Sequence, residues 1–234
     1  MFWQIATTVG ATGLALFAIN KMVLGCGKCY ETGRLDGKVA VVTGASAGIG
    51  EVTTAELARR GAKVIMACRN IEKAEKAKSA IMSSYGEGSP TALTKNVVND
   101  AVKAILSPVK ESQLVVEKLD LGSMKSIRDF AARITEKEPK IDFLINNAGV
   151  MACPYAETED GFEMQMGTNH LGHFLLTELL IPLIKKAGPG ARIIILSSVA
   201  HEKAKNVGCG IFLLLNLLAR YVAAEYTQGI LREA

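Results

Sequence analysis

The stretch VAVVTGASAGIG, Val39 to Gly50, decides the fold. A short apolar strand, Val39 to Val42, runs into a glycine-rich turn, Thr43 to Gly50, and a helical pattern follows from Glu51 to Arg60. Strand, turn and helix in that order open a dinucleotide-binding βα unit. Gly44 lets the chain turn sharply, Gly48 removes bulk where backbone must approach a pyrophosphate, and Gly50 lets the helix pack against the strand. The helix N-terminus then offers free N–H groups and a positive dipole to phosphate oxygens. The glycine spacing is G-x-x-x-G-x-G rather than G-x-G-x-x-G, which suits a looser turn. A ligand-free strand-to-helix connection carries the same glycines, so the assignment depends on what lies downstream.

Downstream, short apolar runs alternate with amphipathic ones. Strands are expected at Lys63–Ala67, Leu114–Lys118, Ile141–Ile145 and Ile193–Leu196. Helices are expected at Ile71–Met82, Ser123–Glu136 and Phe162–Lys186, with Pro182 bending or ending the last. The pattern specifies an α/β fold with a doubly wound, Rossmann-like parallel sheet, covered on both faces and incomplete at about five strands. Residues 83–112 are long for an αβ connection and read as a surface insert with a short helix over Val97–Leu106.

The two ends differ from this core. Phe2 to Asn20 carries no charged side chain, and Lys21, Lys28 and Arg34 follow it. Positive charge after the apolar run favours an uncleaved single-pass anchor with the domain on the cytoplasmic side; a signal peptide and a buried or interfacial helix are the alternatives. The organisation is therefore an anchor (1–24), a linker (25–37), a nucleotide-binding domain (38–201) and a tail (202–234). In the tail, Ile211, Phe212, Leu215 and Leu218 approximate one helical stripe that could cover an open sheet edge, against the plainer reading of an unselected sequence.

Composition narrows the function classes. With 234 residues, 49% of them hydrophobic, the chain can bury one sizeable core. A net charge of +4 without a concentrated basic stripe gives no reading of nucleic-acid binding. Five scattered cysteines suit a reducing compartment, and the lone Cys26-Gly27-Lys28-Cys29 lacks the second pair a zinc site needs. His170 and His173 stand at metal-ligand spacing, but packing or surface roles are the expectation and no metal is assigned.

Site candidates cluster at the expected strand ends. Where a ribose-binding carboxylate would follow strand two, the chain has Ala67-Cys68-Arg69-Asn70. Arg69 could pair with a 2′-phosphate, which favours NADP over NAD; a solvated surface arginine is the alternative. Asp120, after strand three, could accept from an adenine amino group or serve only the start of the next helix. Asn146 to Gly149 (NNAG) follow strand four, where Asn147 ties loops together and Gly149 gives clearance beside a cofactor. Asn169, taken as buried in an apolar helix, needs a backbone or water partner. Ser197 and Ser198 close strand five, at the sheet edge where ligands bind.

TGASAGIG, LDL, NNAG, GFEMQMGTNHLGHFLLT and RIIILSSVAH, in that order, resemble the short-chain dehydrogenase/reductase family over about Leu35 to His201. The wording ACRN and NNAGVMACPYAETEDGFEMQMGTNHLGHFLLTELL is most similar to its retinol dehydrogenase branch of membrane-anchored, NADPH-using retinal reductases. The resemblance implies an NADP(H)-dependent oxidoreductase interconverting a lipophilic alcohol and carbonyl. Gly44, Ser46, Gly48, Ile49 and Gly50 would hold the pyrophosphate, and Arg69 would select the 2′-phosphate. Ser198 matches the serine that polarises the substrate oxygen, and Asn169 the asparagine that organises a water. Implied partners are NADP(H), a lipophilic substrate and a membrane, with the endoplasmic reticulum favoured over a mitochondrial one and a homodimer left open.

The family's remaining pair, a tyrosine with a lysine four positions later, does not occur in this sequence. After Ser198 the tyrosines are Tyr221 and Tyr226, with Glu225 and Ile230 four positions beyond. A phenol with a pKa of about 10 and no nearby cation is a sluggish base at neutral pH. Weak or absent turnover is therefore expected. A non-catalytic dinucleotide-binding or interaction protein is the alternative function.

Overall fold

Alternating strand residues divide the core into two layers. The computed structural model describes residues 29–198; the expected anchor and the tail beyond residue 201 lie outside them. The described strands are β1 (Val39–Thr43), β2 (Lys63–Cys68), β3 (Leu114–Lys118), β4 (Phe143–Asn146) and β5 (Arg192–Ile195). They form one parallel sheet in the order β3-β2-β1-β4-β5. Val39 and Val41 of β1 pack with Ile127, Phe130, Leu176 and Leu180, while Ala40 and Val42 pack with Ala55, Ala58, Ala74 and Ile81 on the opposite face. Both faces of β1 are buried, as the unbroken apolar run requires of a central parallel strand.

The covering helices are α1 (Gly48–Arg59) and α2 (Ile71–Tyr85) on one face. On the other are α4 (Met124–Lys137) and α5 (Gly172–Lys186). Asn70 caps α2 by accepting from the Lys73 amide at 2.8 Å, and Ser123 caps α4 by accepting from the Ser126 amide. Pro182 does not end α5, which continues to Lys186. Pro182 and Glu178 both lie on the exposed face, so water can solvate the carbonyl that loses its helical donor.

The insert packs at the end of the sheet opposite the glycine turn. It holds a short helix, α3 (Asp100–Ile105), capped by Asn99. Arg59, in the last turn of α1, is 1% exposed; it donates to the Ala92 carbonyl at 3.1 Å and lies 4.7 Å over the Tyr85 ring. Arg34 of the linker pairs with Asp36 and donates to the Ile105 carbonyl and the Ser107 hydroxyl. The linker and the insert thus brace one another, away from the strand ends that carry the site. Among the described residues no helix is long and apolar enough to cross a membrane.

Asp142, just before β4, fastens the same end. Its carboxylate accepts from the Val39 amide at 2.9 Å and from the Lys38 and Lys140 ammonium groups. Burial works to raise its pKa, but the Lys38, Val39 and Lys140 hydrogen bonds outweigh burial and hold the carboxyl below its ordinary value. Asp142→Ala is expected to cost about 3 kcal/mol in urea unfolding at pH 7, because a buried amide loses a charged acceptor. The unfolded carboxyl titrates near pH 3.9, above the folded one. The stabilisation is therefore full above about pH 4 and is lost as pH falls through the folded value, so the gap between wild type and variant should close in acid.

Candidate functional site

The sheet order places a crevice between β1 and β4, where successive connections leave for opposite faces and ligands bind in such folds. The β1 turn forms one wall and the β4 loop the other. Gly44, with φ +67°, carries the chain out of β1, and its amide donates to the Ala67 carbonyl at 2.9 Å. Gly50 packs tightly: a Cβ there would lie 2.3 Å from the Gly44 carbonyl oxygen and 2.6 Å from Asn147 Nδ2. Gly48 is the contrary case, since a Cβ there would meet nothing within 4 Å. Ile49 is 67% exposed beside it. Ala47 gives α1 no side-chain cap, so its first amides remain available to an anion.

Below the turn lies Cys68. Burial pushes its thiol pKa up, against hydrogen bonding from the Ser46 side chain and the Ala45 and Ser46 backbone. Ser46 therefore touches the end of β2, and Arg69 is the next residue. Arg69 is exposed, and none of the ion pairs among the described residues includes it. Its backbone carbonyl accepts from Lys118 Nζ, which joins the ends of β2 and β3. Asp120 is half-buried and its Oδ1 accepts from the Gly122 amide at 2.9 Å, closing a local turn ahead of α4.

Thr43 is the hub of the opposite wall, and sequence reasoning passed over it. Its side chain is fully buried, and its Oγ1 accepts from the Asn147 and Ala148 amides, each at 2.9 Å. Asn147 Nδ2 returns to the Thr43 carbonyl at 2.8 Å and reaches the Gly44 carbonyl at 3.4 Å. Asn147 Nδ2 is thus spent on holding the turn. Asn146, the preceding residue, donates to the Thr177 hydroxyl of α5 at 3.0 Å.

Asn169 differs from its sequence expectation. It is exposed rather than buried, because it sits in a π-turn (Gly167–Leu171) that opens toward the β4 loop. There its side chain makes two bonds to one backbone position, accepting from the Val150 amide and donating to the Val150 carbonyl, both at 2.8 Å. Gly149 gives this clamp its clearance, since a Cβ there would stand 3.4 Å from Asn169 Oδ1. Ser197 and Ser198 follow β5 at the same sheet edge and are exposed. His173 was expected to pack or face solvent; it is buried and hydrogen-bonded at both ring nitrogens. Burial lowers its pKa, and so does nearby His170, while the Asn169 carbonyl acts the other way. No spacing rule marks Thr43 or His173, because they lie 130 positions apart and the other partners of Thr43 come from the end of β4 and its loop.

The structure therefore gathers Gly44, Gly50, Asn147 and Thr43 into one contact set, and Gly149 and Asn169 into a second set beside it. Arg69, Asp120 and Ser198 stand at neighbouring strand ends on the same edge. Uncapped helix amides, an open glycine and an exposed cation with no ion pair among the described residues fit an anionic dinucleotide.

A family model described as short chain dehydrogenase matches residues 38–111 and 87–210. The two matches overlap over residues 87–111. Retinol dehydrogenase 12 of Mus musculus is 48% identical over 184 residues, covering 79% of this chain and 50% of that protein. Retinol dehydrogenase 13 of Homo sapiens is 47% identical over 195 residues, covering 83% and 51%. The chain thus spans about half the length of the relatives it matches. Among solved structures, an uncharacterized protein from Mycobacterium paratuberculosis is similar at 40% identity and a TM-score of 0.52, covering 72% of this chain and 49% of that one. A short chain dehydrogenase of Escherichia coli CFT073, solved in complex with NADPH, is similar at 25% identity and a TM-score of 0.58, covering 85% and 75%. The chain belongs to the short-chain dehydrogenase family, and the named relatives place it beside the retinol dehydrogenases.

Proposed function

We propose that this chain binds NADP(H) in the crevice between the β1 turn and the β4 loop, as the cofactor-binding part of an oxidoreductase acting on a lipophilic alcohol or carbonyl. The observation that carries the reading is the uncapped, glycine-lined start of α1 facing the crevice, with Arg69 exposed at the adjoining strand end. The amides of Gly48, Ile49 and Gly50 hold the pyrophosphate, and the Arg69 guanidinium meets the 2′-phosphate. Asp120 receives the adenine edge. Asn147 and Gly149 shape the wall beside the nicotinamide. When bound, the nicotinamide supplies the hydride chemistry. Ser198 polarises the substrate oxygen, and Asn169 orients the β4 loop and a water. The relatives named retinol dehydrogenase support a retinol- or retinal-like substrate.

The sequence lacks a Tyr-x-x-x-Lys pair, so proton transfer to the substrate oxygen has no assigned donor. Purified in detergent and supplied with NADPH and retinal, the chain is expected to turn over weakly or not at all while still binding NADPH by calorimetry. Turnover at the level of a full-length relative would overturn the first expectation, and absence of heat with both NADPH and NADH would overturn the cofactor assignment. The same missing pair favours a second reading, a non-catalytic dinucleotide-binding or interaction protein; binding without turnover is its signature. The anchor belongs to the proposal as well. Residues 1–24 hold the domain on the cytoplasmic face of the endoplasmic reticulum, and carbonate extraction of the chain with and without them tests this.

A further inference from the structure

The Thr43 hydroxyl has one hydrogen and two acceptor sites. Two backbone amides of the β4 loop, Asn147 and Ala148, fill the acceptor sites. The hydrogen can go to His173 Nε2 at 2.9 Å or to the Ile145 carbonyl at 3.4 Å, and the shorter contact is the better bond. At the other side of the ring, His173 Nδ1 is 3.0 Å from the Asn169 carbonyl, which can only accept. Nδ1 therefore carries the ring hydrogen and Nε2 presents a lone pair to Thr43. One assignment satisfies every group: Nδ1–H to Asn169, Thr43 O–H to Nε2, and both amides to Thr43 Oγ1.

We infer that His173 is a positioning residue of the dinucleotide crevice: as the neutral Nδ1–H tautomer it joins the π-turn that holds Asn169 to the Thr43 hydroxyl that carries the β4 loop. The inference rests on reading that crevice as a dinucleotide site. The ring spans two elements that no backbone bond connects directly. On the Thr43 side it fixes the hydroxyl so that both lone pairs face the loop amides. On the Asn169 side it holds the backbone of the residue whose side chain clamps Val150. A side chain of equal bulk without these nitrogens fills the space but leaves the Asn169 carbonyl without its ring donor and the Thr43 hydrogen free to turn to Ile145.

Two measurements on the full chain test the assignment. A long-range proton–nitrogen NMR spectrum of histidine-labelled protein at neutral pH should show the His173 ring protonated at Nδ1 only. An Nε2–H or doubly protonated ring overturns the inference without reference to any cofactor. NADPH binding by calorimetry should then separate three variants. His173→Phe is expected to weaken binding roughly tenfold, the equivalent of one buried hydrogen bond. His173→Gln, which returns an acceptor near the Nε2 position, should recover most of that loss. His173→Asn, which returns a donor near the Nδ1 position, should recover less, because Thr43 holds the two loop amides next to β4, Asn147 and Ala148, whereas Asn169 holds Val150 alone. Equal binding by all three and by wild type overturns the inference. If His173→Phe does not fold, the comparison of the Gln and Asn variants and the tautomer decide. If wild type binds neither NADPH nor NADH, the crevice reading falls, and the tautomer still judges the Thr43–His173–Asn169 link alone.

Discussion

Gly50→Ala is expected to lower NADPH affinity on the order of 100-fold and to destabilise the fold by about 1–3 kcal/mol. A methyl group at this position falls 2.3 Å from the Gly44 carbonyl oxygen, 2.9 Å from its carbon and 2.6 Å from Asn147 Nδ2. Two of those atoms are backbone and the third is tied to the Thr43 carbonyl, so none can swing aside. The start of α1 must move away from the turn, which takes its first amides out of line with the pyrophosphate. Calorimetry measures the affinity and chemical denaturation the stability. Gly33→Ala is the matched control, because a Cβ there meets nothing within 4 Å. Wild-type affinity in Gly50→Ala would mean that the phosphates do not rest on α1.

The second large effect concerns selectivity. Arg69→Ala should weaken NADPH binding by roughly 10- to 100-fold, the range for losing a charge-assisted hydrogen bond of about 1.5–3 kcal/mol. NADH binding should stay within about threefold of wild type, since NADH has no 2′-phosphate. The contrast arises because Arg69 follows Cys68, whose sulfur lies against Ser46 of the glycine turn, while its own side chain has no carboxylate partner among the described residues. Raising salt should shrink the difference between the two cofactors, as expected of an exposed ionic contact. An unchanged NADPH-to-NADH preference in the variant would remove the 2′-phosphate role and leave Arg69 a solvated surface residue.

Much of the fold is legible in the sequence because parallel α/β sheets write their core locally. β3 occupies Leu114–Lys118 as expected, and β1, β2, β4 and β5 fall within two residues of expectation. Runs such as Val39–Val42 are buried on both faces, so apolar character alone marks them. The long helix is less legible. Its reading as one helix runs straight through Gly167–Leu171, but the backbone there winds as a π-turn, and a hydropathy period does not register one inserted residue. The placing of Asn169 as buried failed for the same reason. The π-turn rotates it toward the β4 loop, where the Val150 backbone supplies both partners. Of the two expectations for Pro182, ending the helix is overturned, because its exposed position lets the helix run on to Lys186.

By itself, the sequence determined the strand–turn–helix unit, the parallel sheet, the position of Arg69 after β2 and the family, because each is written in short local motifs and their order along the chain. Only the tertiary structure decided that Asn147 braces the turn, that Asn169 clamps Val150, and that Thr43 and His173 meet across 130 positions of sequence. Those contacts join β1, the β4 loop and the π-turn at the sheet edge. A hydrogen bond requires donor and acceptor within about 3 Å, and only the packed sheet brings segments so far apart in the chain to that distance.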